Sequence, residues 1–87
     1  MMGETDEARL KRLYMRSIRR GIKEMDLILG AFAADELQGL SGEELDLYDG
    51  LLAENDHDLY QWVTGQVATP LAYGGLMGRI SAHAGAS

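Results

Sequence analysis

Ser41-Gly42-Glu43-Glu44-Leu45-Asp46-Leu47-Tyr48-Asp49-Gly50-Leu51-Leu52 reads as an amphipathic helix that carries its own start signal. A serine followed three residues later by a glutamate is a capping box. The hydroxyl accepts from one free amide of the first turn, and the carboxylate reaches back to another. Leu45, Tyr48, Leu51 and Leu52 then fall on one face at helical spacing. The same period recurs on both sides of this stretch. Upstream, Leu10, Leu13, Tyr14 and Ile18 mark a helix from about Asp6 to Arg19, capped by Thr5 or Asp6. Gly21 breaks the chain, and Ile22, Met25, Leu29, Phe32 and Ala33 mark a second helix ending near Ala34. Asp35 to Leu40 reads as a connection. Downstream, Asp56 reads as the cap of a short fourth helix that turns Leu59, Trp62 and Val63 inward and stops near Gly65. Thr69-Pro70 places a proline at the first position of a fifth helix, where its missing N–H costs nothing. Tyr73, Leu76, Met77 and Ile80 are that helix's apolar stripe. Gly74, Gly75 and Gly78 interrupt it, each at about 1 kcal/mol relative to alanine. Gly74 and Gly78, four apart, suit a close contact between helices.

The expectation is therefore an all-α protein, a compact bundle of five short helices in one domain spanning residues 1–87. Its ordered core runs over about 6–80, and residues 82–87 are expected to fray. The predicted core is Leu10, Leu13, Ile18, Met25, Leu29, Phe32, Leu45, Tyr48, Leu52, Leu59, Trp62 and Val63.

Eighty-seven residues allow one small domain, and the absence of cysteine excludes a disulfide scaffold and a cysteine nucleophile. No apolar run is long enough to cross a bilayer, so no membrane insertion is expected. The start MMGETDEARL is acidic and polar, unlike a secretory signal or an Arg-rich transit peptide. The net charge of −6 is unevenly spread. Residues 1–23 hold 7 basic and 3 acidic groups; residues 24–87 hold 1 basic and 11 acidic. Most of such a surface repels nucleic acid, so none is expected as a partner, although the N-terminal segment alone could attract phosphates.

Little in the chain can carry chemistry. His57 sits in Asn55-Asp56-His57-Asp58, where adjacent residues rarely face one ion together; a solvated helix start is the better reading. No metal site and no catalytic residue is assigned. Gly74-Gly75-Leu76-Met77-Gly78 lacks the Lys-Ser/Thr of a phosphate loop and the spacing of a dinucleotide fingerprint. Tyr60 is out of phase with its helix's apolar face and reads as a surface or rim residue.

The informative segment is Arg16-Ser17-Ile18-Arg19-Arg20-Gly21-Ile22-Lys23-Glu24-Met25-Asp26. Arg9, Arg12, Arg16 and Arg20 form a basic stripe at spacings of 3, 4 and 4. One reading is a solvated face with an Arg20–Glu24 pair at i,i+4, worth at most about 0.5 kcal/mol when exposed. The other is that Gly21 clears a side chain from a charged surface so that another backbone or a ligand can approach. The residues alone leave both open.

Arg19-Arg20-Gly21-Ile22-Lys23-Glu24-Met25-Asp26 resembles the R-R-G-x-x-E-x-D signature of the succinate dehydrogenase flavinylation factors, the SdhE-type assembly factors. Asn55-Asp56-His57-Asp58-Leu59-Tyr60-Gln61-Trp62 resembles the D-x-D-L-x-x-W segment of the same family, and Leu40-Ser41-Gly42-Glu43-Glu44 its capped third helix. The likeness covers roughly residues 9–66, in family order. Members are small five-helix proteins. The resemblance implies a chaperone-like assembly factor, not an enzyme. Such a factor binds the flavoprotein subunit of succinate dehydrogenase, or in some bacteria of fumarate reductase, and promotes covalent attachment of FAD. It implies that Arg20, Gly21 and Glu24 contact the flavoprotein with Arg19 and Asp26 beside them, and that Asp58 and Trp62 belong to a second motif, structural or binding. FAD is then the client's cofactor, with none bound tightly here. Without the presequence of mitochondrial members, a bacterial, cytoplasmic protein is expected. The alternative function is a small regulatory partner-binding protein of antitoxin type.

Overall fold

The computed structural model describes residues 5–85. Five α-helices follow one another: α1 (Asp6–Ile18), α2 (Lys23–Glu36), α3 (Gly42–Leu52), α4 (Asp56–Val63) and α5 (Gly74–Gly85). Short 3₁₀ turns at Leu37–Gly39 and Leu71–Tyr73 lead out of α2 and into α5. Among the described residues there is no strand, as the helical period requires. The Cα radius of gyration is 12.4 Å, close to the roughly 12 Å of a compact chain of this length.

Local signals set most of the helix ends. Thr5 caps α1, its hydroxyl accepting from the Ala8 amide at 3.1 Å. The capping box of α3 is complete: Ser41 Oγ accepts from Glu44 N–H at 3.2 Å, and Glu44 Oε1 from Ser41 N–H at 2.8 Å. That second bond is the main reason the Glu44 carboxyl lies below the usual carboxylate range. Gly65 ends α4 with φ of +79°, a conformation that costs glycine little.

The core is one cluster drawn from every helix: Leu13 of α1; Met25, Leu29, Phe32 and Ala33 of α2; Tyr48, Leu51 and Leu52 of α3; Leu59 of α4; Leu76, Met77 and Ile80 of α5. Leu10, Leu45, Trp62 and Val63 pack against it half-buried. Ser17 is the polar residue inside: its hydroxyl donates to Leu13 O at 2.8 Å and meets Tyr48 Oη at 2.6 Å. The serine proton is committed to the carbonyl, so the tyrosine donates. Burial pushes the Tyr48 hydroxyl up to about 12.

Five expectations change. The second helix runs to Glu36 and continues into a 3₁₀ turn, because Leu37 and Leu40 are buried and hold this segment on the core. Pro70 precedes a 3₁₀ turn, and α5 begins at Gly74. The glycines of α5 do not interrupt it, since burial of Leu76, Met77 and Ile80 offsets their cost, and a Cβ at 74, 75 or 78 would meet nothing within 4 Å among the described residues. The close approach lies at Gly30 instead, where a Cβ would stand 2.9 Å from Ile18 Cγ2. The segment expected to fray from 82 is helical through Gly85, with His83 Nε2 2.8 Å from Asp35 and its ring edge-on to Phe32. Residues 86–87, and the first four residues of the acidic start, lie outside the described residues.

The uneven charge is matched inside the fold. Arg9 pairs with Asp46, and Arg12 and Arg16 both pair with Asp49, joining α1 to α3. The Arg12 hydrogen bond is the main reason the Asp49 carboxyl is lowered. The basic stripe that could have met phosphates is thus largely turned toward the protein's own carboxylates.

Candidate partner-binding site

The α1–α2 link, Arg19 to Ile22, stands off both helices. Arg19 leaves α1 at φ −122°, ψ 54°, and Ile22 enters α2 in extended backbone without a side-chain cap. Two carboxylates hold what lies between. Asp26, in the first turns of α2, reaches back to accept from Arg20 N–H at 2.6 Å. Asp56, at the start of α4, accepts from Gly21 N–H through Oδ2 at 2.9 Å and from Arg20 Nε through Oδ1.

The Arg20 guanidinium spends its other nitrogens on the end of α3. Nη1 donates to Leu52 O at 2.6 Å and Nη2 to Glu54 O at 2.8 Å. A helix end leaves its last carbonyls without intrahelical partners, and a cation there also suits the dipole. Arg20 therefore ties α1, α3 and α4 together, with its side chain only 9% exposed.

This arrangement corrects two expectations. The i,i+4 Arg20–Glu24 pair does not form, because Arg20 lies in the link and its guanidinium turns to Asp56. Asp56 does not cap α4; Asn55 does, its side chain accepting from His57 N–H at 2.8 Å, and Asp56 is left to serve the link. With Asp56 so engaged, the Asp56-His57-Asp58 metal reading loses its first ligand.

The predicted site residues thus divide. Arg20, Gly21 and Asp26 join one hydrogen-bonded cluster. Arg19 and Glu24 flank it, exposed, with no side-chain partner among the described residues; Lys23 is alike. Asp58 lies two residues beyond Asp56, exposed and likewise unpaired among the described residues. Trp62 is elsewhere, packed on the core with its ring centroid 6.3 Å from that of Tyr73. Asp56 was missed as a site residue, and its position between an asparagine cap and a second aspartate was the available signal. Beside the link lies an open depression lined by Arg12, Met15, Arg16, Arg19 and Arg20.

Gly21 itself is exposed. A Cβ there would stand 3.6 Å from Asp56 Oδ2, an ordinary contact, and its φ lies outside the positive region. Nothing among the described residues requires glycine at this position.

A family profile described as "Flavinator of succinate dehydrogenase" matches residues 11–84. The chain belongs to that family. Its curated relatives include "Succinate dehydrogenase assembly factor 2, mitochondrial" of Candida glabrata, 46% identical over 68 residues that make up 78% of this chain and 44% of the relative. The protein of the same name from Meyerozyma guilliermondii is 49% identical over 70 residues, 79% of this chain and 52% of the relative. "Succinate dehydrogenase assembly factor 2-A, mitochondrial" of Drosophila sechellia is 41% identical over 80 residues, 88% of this chain and 49% of the relative. The chain spans about half the length of these relatives. Membership in the flavinator family agrees with the all-helical fold and with the two motifs. The expected cytoplasmic location is overturned: these relatives from yeasts and a fly are each named mitochondrial, and their names lend no support to a bacterial origin either. Among the described residues no helix is long and apolar enough to cross a membrane.

Proposed function

We propose that this chain binds the flavoprotein subunit of succinate dehydrogenase and promotes covalent attachment of FAD to it, with the Arg19–Glu24 surface as the contact. The observation that carries the reading is Gly21. The fold has room for a Cβ there, at ordinary contact distance from Asp56, and no backbone reason to exclude one. A glycine at an exposed link between helices fits a surface that another molecule must approach closely. Arg19, Lys23, Glu24 and Asp58 are exposed charges of both signs without a side-chain partner among the described residues, and they suit complementary groups on a protein surface.

The chain holds the client and does no covalent chemistry of its own. The cluster at the link is already hydrogen-bonded within the fold, and it contains no nucleophile beside a base. FAD stays the client's cofactor, and fumarate reductase's flavoprotein is a second client of the same kind. Arg20 and Asp26 shape the contact surface from below; Arg19, Gly21, Glu24 and Asp58 meet the partner; Trp62 supports α4.

The test is titration of the purified flavoprotein subunit with the full chain and with Gly21→Leu. The native chain is expected to bind. Gly21→Leu is expected to stay folded and to lose at least about tenfold in affinity, as steric obstruction near the centre of an interface does. Equal binding by both chains would remove the Gly21 surface from the interface.

A further inference from the structure

We infer that Asp56 is a positioning residue, whose single carboxylate sets the shape of the Arg19–Ile22 link that the flavoprotein meets. This rests on the reading of that link as the docking surface. It joins the chain's two motifs, 35 residues apart between Gly21 and Asp56, into one physical unit.

The argument starts from donors. Gly21 N–H lies in a helix break, where no helical carbonyl is available to it. The carboxylate of Asp56 receives it through Oδ2 at 2.9 Å, while Oδ1 receives Arg20 Nε. The preceding amide, of Arg20, ends on Asp26 Oδ1 at 2.6 Å. Two successive amides are therefore fixed by carboxylates from two different helices, α2 and α4. A link containing glycine and free of such holds samples many backbone conformations. Fixing it in the free protein removes an ordering cost that association would otherwise meet. Asp56 does this from beneath: its side chain is 16% exposed, whereas Asp58, two residues on, faces solvent. Asparagine could not replace it, since one oxygen would have to serve two donors and the amide nitrogen would face a donor.

The experiment compares the native chain, Asp56→Asn and Asp49→Asn. Asp49→Asn makes the same charge change on α3, against Arg12 and Arg16, without touching the link. Binding to the flavoprotein subunit is titrated at a temperature where melting curves show each chain folded. Hydrogen exchange of the Gly21 amide is followed by NMR in the free chains. Asp56→Asn is expected to speed Gly21 exchange and weaken binding, each about tenfold or more, with Asp49→Asn leaving both near native. Native binding by Asp56→Asn, or equal weakening by Asp49→Asn, would overturn the proposal. An unprotected Gly21 amide in the native chain would overturn it without any variant. Failure of the native chain to bind would instead remove the docking reading on which it rests. Weakened binding by Glu24→Ala beside native binding by Asp56→Asn would leave that reading standing and remove the positioning role.

Discussion

The carboxylate of Asp56 lies against the guanidinium of Arg20 with both side chains nearly out of solvent, at 16% and 9% exposure. The contact fastens the end of α1 to the start of α4, and the same guanidinium closes the end of α3. A motif arginine that would look free on a helical wheel is a structural tie.

Arg20→Ala is therefore expected to destabilise the fold. It strands the Asp56 carboxylate and leaves the Leu52 and Glu54 carbonyls short of a charged donor. Hydrogen bonds to charged groups contribute about 1.5–3 kcal/mol, and a loss of roughly 2–3 kcal/mol is expected. For a domain this small that lowers Tm by on the order of 10–20 °C. Thermal melting by circular dichroism checks it; an unchanged Tm would show that the tie contributes nothing.

Gly21 should behave in the opposite way. With φ outside the positive region and only an ordinary 3.6 Å contact to Asp56 Oδ2 for a Cβ, Gly21→Ala is expected to leave stability unchanged or raise it by up to about 1 kcal/mol, since alanine narrows the unfolded ensemble. A marked fall in the denaturant midpoint would mean that the link is tighter than its geometry indicates.

Much of the fold was legible in the sequence because its signals are local. The Ser41–Glu44 capping box and the stripe from Leu45 to Leu52 each lie within one helix. The i,i+4 reading of Arg20 with Glu24 fails because it assumes one continuous helix, and Gly21 interrupts it. The true partner of Arg20, Asp56, is 36 residues away, and no local period reports such a distance. The charge asymmetry was visible, but its pairing through Asp46 and Asp49 depends on how α3 packs on α1. The α5 glycines were read by propensity alone, which tertiary burial overrides.

Gly30 offers a case where two effects compete. Within a helix, Gly→Ala gains about 1 kcal/mol from propensity. Here the new Cβ would stand 2.9 Å from Ile18 Cγ2, a branched methyl held at the close of α1. Overpacking costs typically 1–3 kcal/mol, so Gly30→Ala is expected to be net destabilising, by roughly 1 kcal/mol. Adding Ile18→Ala should then cost less than it does in the native chain. A chemical-denaturation double-mutant cycle measures the coupling, and strict additivity would contradict it.

Tyr48 makes stability depend on alkaline pH. Its folded pKa of about 12 lies above the ordinary tyrosine value of 10.0. The unfolded state therefore loses this proton first as pH rises. The contribution is full below about pH 10 and is lost between there and about pH 12, on the order of 2 kcal/mol. Tyr48→Phe should flatten this decline relative to the native chain, at a cost near neutrality of about 1 kcal/mol for the lost bond to Ser17. Parallel pH profiles for the two chains would contradict the assignment.

Glu24 tests the central claim most directly. It is exposed and unpaired among the described residues, so Glu24→Ala is expected to change stability by no more than about 0.5 kcal/mol. Desolvated against a partner's charge, the same group can be worth about 2 kcal/mol or more. The measurement is in-gel fluorescence of the denatured succinate dehydrogenase flavoprotein, where only covalent flavin survives, from cells in which Glu24→Ala replaces the native chain. The expected result is a normally folded, normally abundant variant with strongly reduced flavin fluorescence. Undiminished fluorescence would contradict the assignment of this surface to the flavoprotein.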